Sequence, residues 1–162
     1  MRRALVAVLL VGMPGAAAAA TGTAAATTLR PATVLRAADL DFGNIAPAAT
    51  GGTVTINPNT DARTRTGAVT LLAGGRPGAA KFTASGAPSV VVLVRLPTGA
   101  ITLSNGAGGS MTVTNLTTNG PTARTFGGAG ALTITVAGRL NVGANQATGA
   151  YAGQFVLTVD YP

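Results

Sequence analysis

Short runs in which apolar and polar residues alternate recur along most of this chain, and they constrain its fold more than any other feature. The clearest runs are 53–56, 80–84, 101–104, 111–114, 132–136 and 155–161. A period of two residues is typical of strands that bury one face. Threonine is the usual polar partner, and its branched side chain suits a pleated, half-wet surface. We therefore expect an all-β sandwich of about eight short antiparallel strands.

One run departs from the alternation, because residues 90–96 are almost continuously apolar. This run predicts a central strand that is buried on both faces or lies at a sheet junction. Together with the alternating runs, it gives a set of expected core residues: Phe42, Phe82, Val92, Val94, Ile134, Val142, Phe155, Leu157 and Val159.

Turn signals separate the apolar runs. Gly and Asn adopt positive φ angles readily, and Pro interrupts ladder pairing. No amphipathic helical pattern follows the first twenty residues, so a parallel sheet with crossover helices is not expected. The strongest turn signals are Gly51-Gly52, Asn57-Pro58-Asn59, Asn105-Gly106, Asn119-Gly120-Pro121 and Gly127-Gly128.

The first twenty residues have the organisation of a secretory signal peptide. Arg2 and Arg3 precede an apolar stretch at residues 4–13, and an alanine run at 16–20 offers small-residue cleavage sites. A membrane anchor is the alternative, but a bilayer span needs about twenty apolar residues. We expect cleavage after Ala20, with a later cut near Ala26 as the alternative, and export of the chain to the periplasm and then to the cell surface or the medium.

The composition excludes several kinds of chemistry. The chain has no Cys and no His, so thiol or imidazole catalysis, Cys/His zinc sites and disulfides are impossible. Lys81 and Ser85 lie in an alternating run, where four residues span roughly 13 Å, too far for a Ser-Lys dyad. Asp39 and Asp41 lack further oxygen donors at the spacing of a calcium loop. We expect no enzymatic activity, no cofactor and no metal.

The charge of the chain is moderately basic. Without Arg2 and Arg3, nine basic residues oppose four Asp, a net charge of +5. The basic residues are scattered along the sequence, whereas nucleic-acid modules concentrate charge and interleave it with aromatic residues. We therefore expect no nucleic-acid partner.

The C-terminal segment is the most patterned stretch of the chain. A terminal strand closes many sandwiches, but a sandwich that lacks a strand can also borrow one from a partner by β-strand addition. An exposed edge groove would otherwise invite aggregation. The residues of interest in this assembly or terminal strand are Gly149, Tyr151, Phe155, Leu157, Val159 and Tyr161.

Residues 21–38 differ from the rest of the chain, because they are rich in Ala and Thr and are interrupted by Arg30-Pro31. We predict an exposed N-terminal arm that leads into a sandwich domain at residues 39–162. The arm is a candidate donor strand, and its large apolar residues are Leu29, Val34 and Leu35.

Several motifs resemble the bacterial family called domain of unknown function 4402. They cover nearly all of the chain after the leader, in the same order. The matching segments are 40–45 (LDFGNI), 51–56 (GGTVTI), 80–86 (AKFTASG), 138–146 (GRLNVGANQ) and 149–161 (GAYAGQFVLTVDY).

That family is similar to spore coat protein U and to the pilins of chaperone–usher systems. The resemblance implies an incomplete immunoglobulin-like sandwich that receives a strand from a periplasmic chaperone and then from the next subunit's arm. Gly149 and Tyr161 occupy positions that pilins fill with Gly and Tyr. The chain departs from many pilins in having no Cys, in ending at Pro162 and in lacking a row of large apolar residues in its arm.

Two functions remain open at this point. The first is an exported structural subunit of a fibre, pilus or coat, assembled by strand donation with copies of itself or related subunits. Its further assembly partners would be a periplasmic chaperone and an outer-membrane usher. Its role would be adhesion or scaffolding. The second is a self-contained secreted sandwich that binds a glycan or another surface ligand.

Overall fold

The computed structural model describes residues 25–162, and the predicted signal peptide lies outside these residues. The described part of the chain is all-β, with antiparallel pairing throughout, which confirms the predicted β-sandwich class. Within it there is no helix with the length and apolarity needed to cross a bilayer. The strands are β1 Thr33–Ala38, β2 Ile45–Ala46, β3 Gly52–Ile56, β4 Arg63–Gly67, β5 Thr70–Leu71, β6 Ala80–Ser85, β7 Val91–Arg95, β8 Ile101–Ser104, β9 Ser110–Thr118, β10 Ala123–Thr125, β11 Ala131–Val142 and β12 Thr158–Asp160.

These twelve strands exceed the expected eight because several are only two or three residues long. Two of them, β2 and β5, pair only with each other and form a small separate ladder. Such short strands leave too little alternation in the sequence to be predicted.

Strand β11 organises the larger sheet, which runs in the order β1-β6-β11-β3-β4 with the β8–β9 hairpin attached to β11. The first half of β11 pairs with β6, and its second half pairs with β3. Strand β9 takes the opposite edge, since Arg139 is paired with both Thr55 and Thr114. One long strand therefore joins two halves of a sheet.

The first half of β11 is covered by a second sheet in the order β10-β7-β12. Strand β7 is its central strand, as expected from residues 90–96. Only one face of β7 is buried, because Val92 and Val94 are inside while Val91 is 43% exposed. We call the core between the two sheets the closed cluster: Ala80, Ala84, Val92, Val94, Phe126, Ile134, Val136 and Val159.

The second half of β11 carries a separate core, which we call the open cluster. No comparable sheet of the described residues covers it; irregular segments and the short β2–β5 ladder do so instead. Its buried members are Phe42, Val54, Ile56, Val69, Ala79, Ile101, Val113, Ala137, Leu140 and Val142.

Most of the predicted core residues are buried, but three are half-buried: Phe82, Phe155 and Leu157. Phe82 and Phe155 pack edge to face, with ring centroids 6.0 Å apart. Phe155 contacts both clusters, so it lies at their boundary and not inside either one.

The predicted turn residues fold as their chemistry dictates. In the β8–β9 hairpin, the side-chain oxygen of Asn105 accepts hydrogen bonds from the backbone nitrogens of Ala107 (2.9 Å) and Gly109 (2.8 Å). Gly106 has φ of 71°, which favours glycine. The local bonds fix the register that brings β9 against β11.

Candidate functional site

A groove of about 930 Å³ opens over the second half of β11. One wall is formed by residues 39–47 and the other by residues 146–155. Its floor is apolar and comes from three neighbouring strands, β8, β9 and β11. The floor residues are Ile101, Leu103, Met111, Val113, Leu140 and Val142.

The floor of the groove is already well packed. Val113 and Leu140 are each 2% exposed, Val142 is 5% exposed and Ile101 is 9% exposed. Leu103 and Met111 are half-buried. The groove is thus a shallow channel above a closely packed layer of side chains, and two apolar residues of its floor are partly exposed.

Arg63 positions the first wall of the groove. Its guanidinium donates to the carbonyl oxygens of Phe42 (2.9 Å), Asn44 (3.1 Å) and Leu72 (2.9 Å). Gly43, between two of these acceptors, has φ of 70°, and a Cβ there would lie 2.6 Å from the Arg63 guanidinium. The close approach of the guanidinium therefore requires glycine at this position.

Asp41 holds the same wall from the other side. Its carboxylate accepts from the backbone nitrogens of Gly43 (2.7 Å) and Arg76 (3.3 Å). Its backbone forms an isolated bridge with Gly78. Asp41 acts as a structural acceptor of backbone hydrogen bonds, and the described residues contain no group of three or more acidic, His or Cys side chains suited to a metal.

Tyr151 and Gln146 position the second wall. The Tyr151 hydroxyl donates to the carbonyl of Ala147 (2.7 Å) and accepts from the side-chain amide of Gln146 (2.8 Å) and, more weakly, that of Asn105 (3.3 Å). Gln146 also donates to the carbonyl of Ser110 (3.1 Å). The wall is thereby tied to the β8–β9 hairpin by side chains.

Backbone pairing along the two walls is sparse. In the first wall, Asp41 makes the bridge to Gly78 and β2 pairs with β5. In the second wall, Ala152 pairs with Ser104, but residues 153–157 belong to no strand. Asn145 donates to the carbonyl of Ala48 (2.9 Å) and joins the segments that form the two walls. The groove therefore offers an apolar floor next to backbone that is outside the ladders, which suits an extended polypeptide.

The residues predicted for the C-terminal strand separate into two places. Gly149 and Tyr151 lie in the second wall of the groove, and Phe155 ends that wall. Leu157 packs on the closed cluster and Val159 is buried in β12, beyond the groove. Within the predicted strand, residues 158–160 pair with β7, and Ala152 makes only an isolated bridge with Ser104.

Tyr161 joins the two ends of the described chain. Its hydroxyl donates to the carbonyl of Arg30 (2.6 Å) and accepts from the backbone nitrogen of Ala87 (2.9 Å). Its ring packs edge to face on Phe126, with centroids 6.4 Å apart. The penultimate residue thus fixes the point at which the N-terminal segment leaves the domain.

The predicted donor arm is divided by β1. Val34 and Leu35 pair with Ala84 and Thr83 of β6 in the same chain, and Leu35 is 71% exposed. Leu29 precedes β1 and is 48% exposed. Residues 33–38 are therefore a strand of this domain, and residues 25–30 form its exposed N-terminal extension.

Two sets of groove residues were not singled out from the sequence. The floor residues stand in alternating runs, so the sequence indicated their burial but not that they share a floor. Arg63 gave no signal, because its three acceptors come from residues 9 to 21 positions away along the chain.

Comparison with known proteins gives one match. No curated protein and no solved structure shows a significant similarity to the chain. Residues 32–161 match the family described as "Domain of unknown function (DUF4402)". This match spans β1 to the end of β12 and includes every residue of both groove walls. The chain therefore belongs to the DUF4402 family.

Proposed function

We propose that this protein is an exported structural subunit of a bacterial surface fibre or coat, assembled by β-strand donation between copies, with an adhesive or scaffolding role. The groove carries the proposal. It combines an apolar floor with walls that contain unladdered backbone, and such a site binds an added strand through main-chain hydrogen bonds.

The position of the N-terminal extension supports the same function. Tyr161 holds the chain at Arg30, and β1 occupies the edge of β6 from residue 33 onwards. The segment available for donation therefore ends near Leu29 and is shorter than the arm predicted from the sequence. Its described part, residues 25–29, is exposed, as a donor to a neighbouring subunit requires.

The test is a gel of the native surface fraction, run with and without boiling. We compare the wild type, a deletion of residues 22–28, and the control Gly128→Ala, in which the added Cβ has no heavy atom within 4 Å. We expect a ladder at multiples of the monomer mass for the wild type and the control, lost on boiling. A donated strand resists detergent because its ladder and side-chain contacts must open together.

The deletion should yield folded monomer without a ladder. A single monomer band for the wild type, with the protein at the surface, would overturn the proposal. That result would favour the second function, a self-contained sandwich that binds a glycan or another surface ligand, with which the well-buried floor is also compatible.

A further inference from the structure

We infer that the groove is selective for a strand of small residues, and that its occupant is the segment 21–28 of a second copy of this chain. This inference rests on the proposed function and names the partner of the same groove. It follows from the floor, from the composition of the N-terminal segment and from the way in which the walls are held.

The floor has no pocket between its side chains that would admit a large residue. Four of its six residues are at most 9% exposed although the groove of this single chain is open. A leucine or phenylalanine could insert between the floor residues only by displacing Leu140 or Val142 from a packed layer, which is costly in protein cores. Small side chains can cover Leu103 and Met111, the two half-buried floor residues, without any rearrangement.

The N-terminal segment has the matching composition. Residues 21–28 read TGTAAATT and contain Thr, Ala and Gly alone. As a strand, eight residues span roughly 26 Å, and residues 149–155 of the second wall span at most roughly 23 Å even when fully extended. The segment therefore has the length to follow the wall, and no residue in it is too large for the floor.

The walls are positioned before any strand arrives. Arg63 fixes the first wall through three carbonyl oxygens, and Tyr151 with Gln146 fixes the second. Because the two walls are already in place, binding a strand between them costs little reorganisation, and backbone hydrogen bonds supply most of the binding energy. A strand without large apolar anchors can bind under these conditions.

A second copy supplies the strand. In this chain, residues 25–30 are all exposed, and the lining of the groove begins only at Arg36. Tyr161 and β1 hold the chain from Arg30 onwards against the domain. The described part of the segment, residues 25–28, is thus exposed and accessible to the groove of a neighbour.

The experiment places one large residue at each of two adjacent positions of the segment. Ala25→Leu and Ala26→Leu are made separately in the full chain, with Ala25→Ser and Ala26→Ser as size-matched controls. Successive side chains of a strand point to opposite faces. We expect one leucine variant to lower the polymer fraction on the unboiled gel about tenfold, through overpacking against the floor, and the other variant and both serine controls to match the wild type.

Each outcome separates the inference from the proposed function. If wild type and variants all fail to polymerise, the proposed function fails. If the ladder forms but a leucine variant polymerises more strongly, or both leucine variants match the wild type, strand donation stands and small-residue selectivity is wrong. Unfolding of each monomer in urea checks that the domain itself is unchanged.

A compensating variant ties the effect to the groove. Leu103 is a half-buried floor residue, so Leu103→Ala should open space above the floor at a modest cost in stability. Combined with the impaired leucine variant, it should restore at least half of the polymer. Restoration by Leu72→Ala instead, at a groove-lining residue outside the floor that is 43% exposed, or by neither change, would contradict contact between the segment and the floor.

Discussion

The two hydrophobic clusters of this protein share one strand but are closed in different ways. The closed cluster lies between two hydrogen-bonded sheets, and β7, β10 and β12 cover it by regular pairing. The open cluster lies under segments that are held mainly by side-chain hydrogen bonds from Arg63, Asp41 and Tyr151. The difference shows that a core can be buried without a complete ladder above it. The backbone at residues 153–157, which belongs to no strand, is where we propose that another chain binds.

The largest effect should come from a matched pair of Phe→Ala substitutions, one on each side. Phe126 is 1% exposed in the closed cluster, and Phe126→Ala should cost about 3–5 kcal/mol because it leaves a cavity between two sheets. Phe42 lines the groove, so its removal opens a space that water can fill, and Phe42→Ala should cost about 2 kcal/mol. Urea unfolding of both variants measures the difference. Equal losses would mean that the groove wall is as tightly packed as the closed cluster.

A single methyl group tests how tightly the closed side is packed. In Gly86→Ala, the new Cβ would lie 2.5 Å from the Phe126 ring and 2.6 Å from the Tyr161 hydroxyl. We expect a loss of about 1–3 kcal/mol from overpacking. Gly128→Ala, in open space on the neighbouring loop, should change stability by less than about 0.5 kcal/mol. Thermal unfolding measures both losses. Equal melting temperatures for the two variants would contradict tight packing around Gly86.

Two tyrosine hydroxyls allow the same comparison for hydrogen bonds. Tyr161→Phe leaves the amide of the buried residue Ala87 without its acceptor, and we expect a cost of about 1–2 kcal/mol. Tyr151→Phe removes a donor to the carbonyl of the exposed residue Ala147, where water can substitute, so its cost should be below about 1 kcal/mol. Hydrogen exchange at the Ala87 amide should accelerate in the first variant only. Acceleration in both would show that the groove wall and the closed side respond together.

The smallest change in stability is expected for Asp61, which lies at the junction of the two clusters. Asp61 accepts from Lys81 Nζ and from the backbone nitrogen of Ala79, both at 2.8 Å. Lys81 first, and then the Ala79 amide, lower the pKa of this carboxyl. Since its pKa is lowered in the folded state, Asp61 stabilises the fold above its ordinary pKa, and this contribution is lost as the pH falls.

The Asp61→Asn variant measures that contribution. Its urea midpoint should lie slightly below that of the wild type at pH 7, and the gap should close as the pH falls below about 4. The effect is small because the Asp61 side chain is 38% exposed. A gap that is unchanged at pH 3 would assign the loss to the changed side chain and not to its charge.

Strands with alternating burial could be predicted from the sequence. In β3 and β11, the spacing of Val54 and Ile56 and of Ile134 and Val136 indicates the buried face even when the neighbouring strand is unknown. Strand β1 was not predicted, because its residues, rich in Ala, Thr and Arg, show no alternating pattern. They form a strand by pairing with the edge of β6. The prediction also overextended the last strand: residues 155–157 alternate as expected, but β7 offers pairing only to Thr158–Asp160.

The groove could be predicted only in part. A borrowed strand was suggested by the pattern of residues 149–161, and three of the residues singled out there, Gly149, Tyr151 and Phe155, do line the groove. The opposite wall depends on Arg63 reaching three carbonyl oxygens across separate loops. Such contacts depend on tertiary distances that no local pattern records.

The hydrogen bond between Tyr161 and Arg30 has a mechanical consequence. A force that pulls the N-terminal extension along the direction of β1 meets this bond first and then the ladder with β6, in which five residue pairs are loaded lengthwise. Bonds loaded in this shear geometry share the tension and must break together, whereas a force across the ladder would open them one by one. Tension applied in this direction is thus resisted by the β1–β6 pairing before it reaches either core.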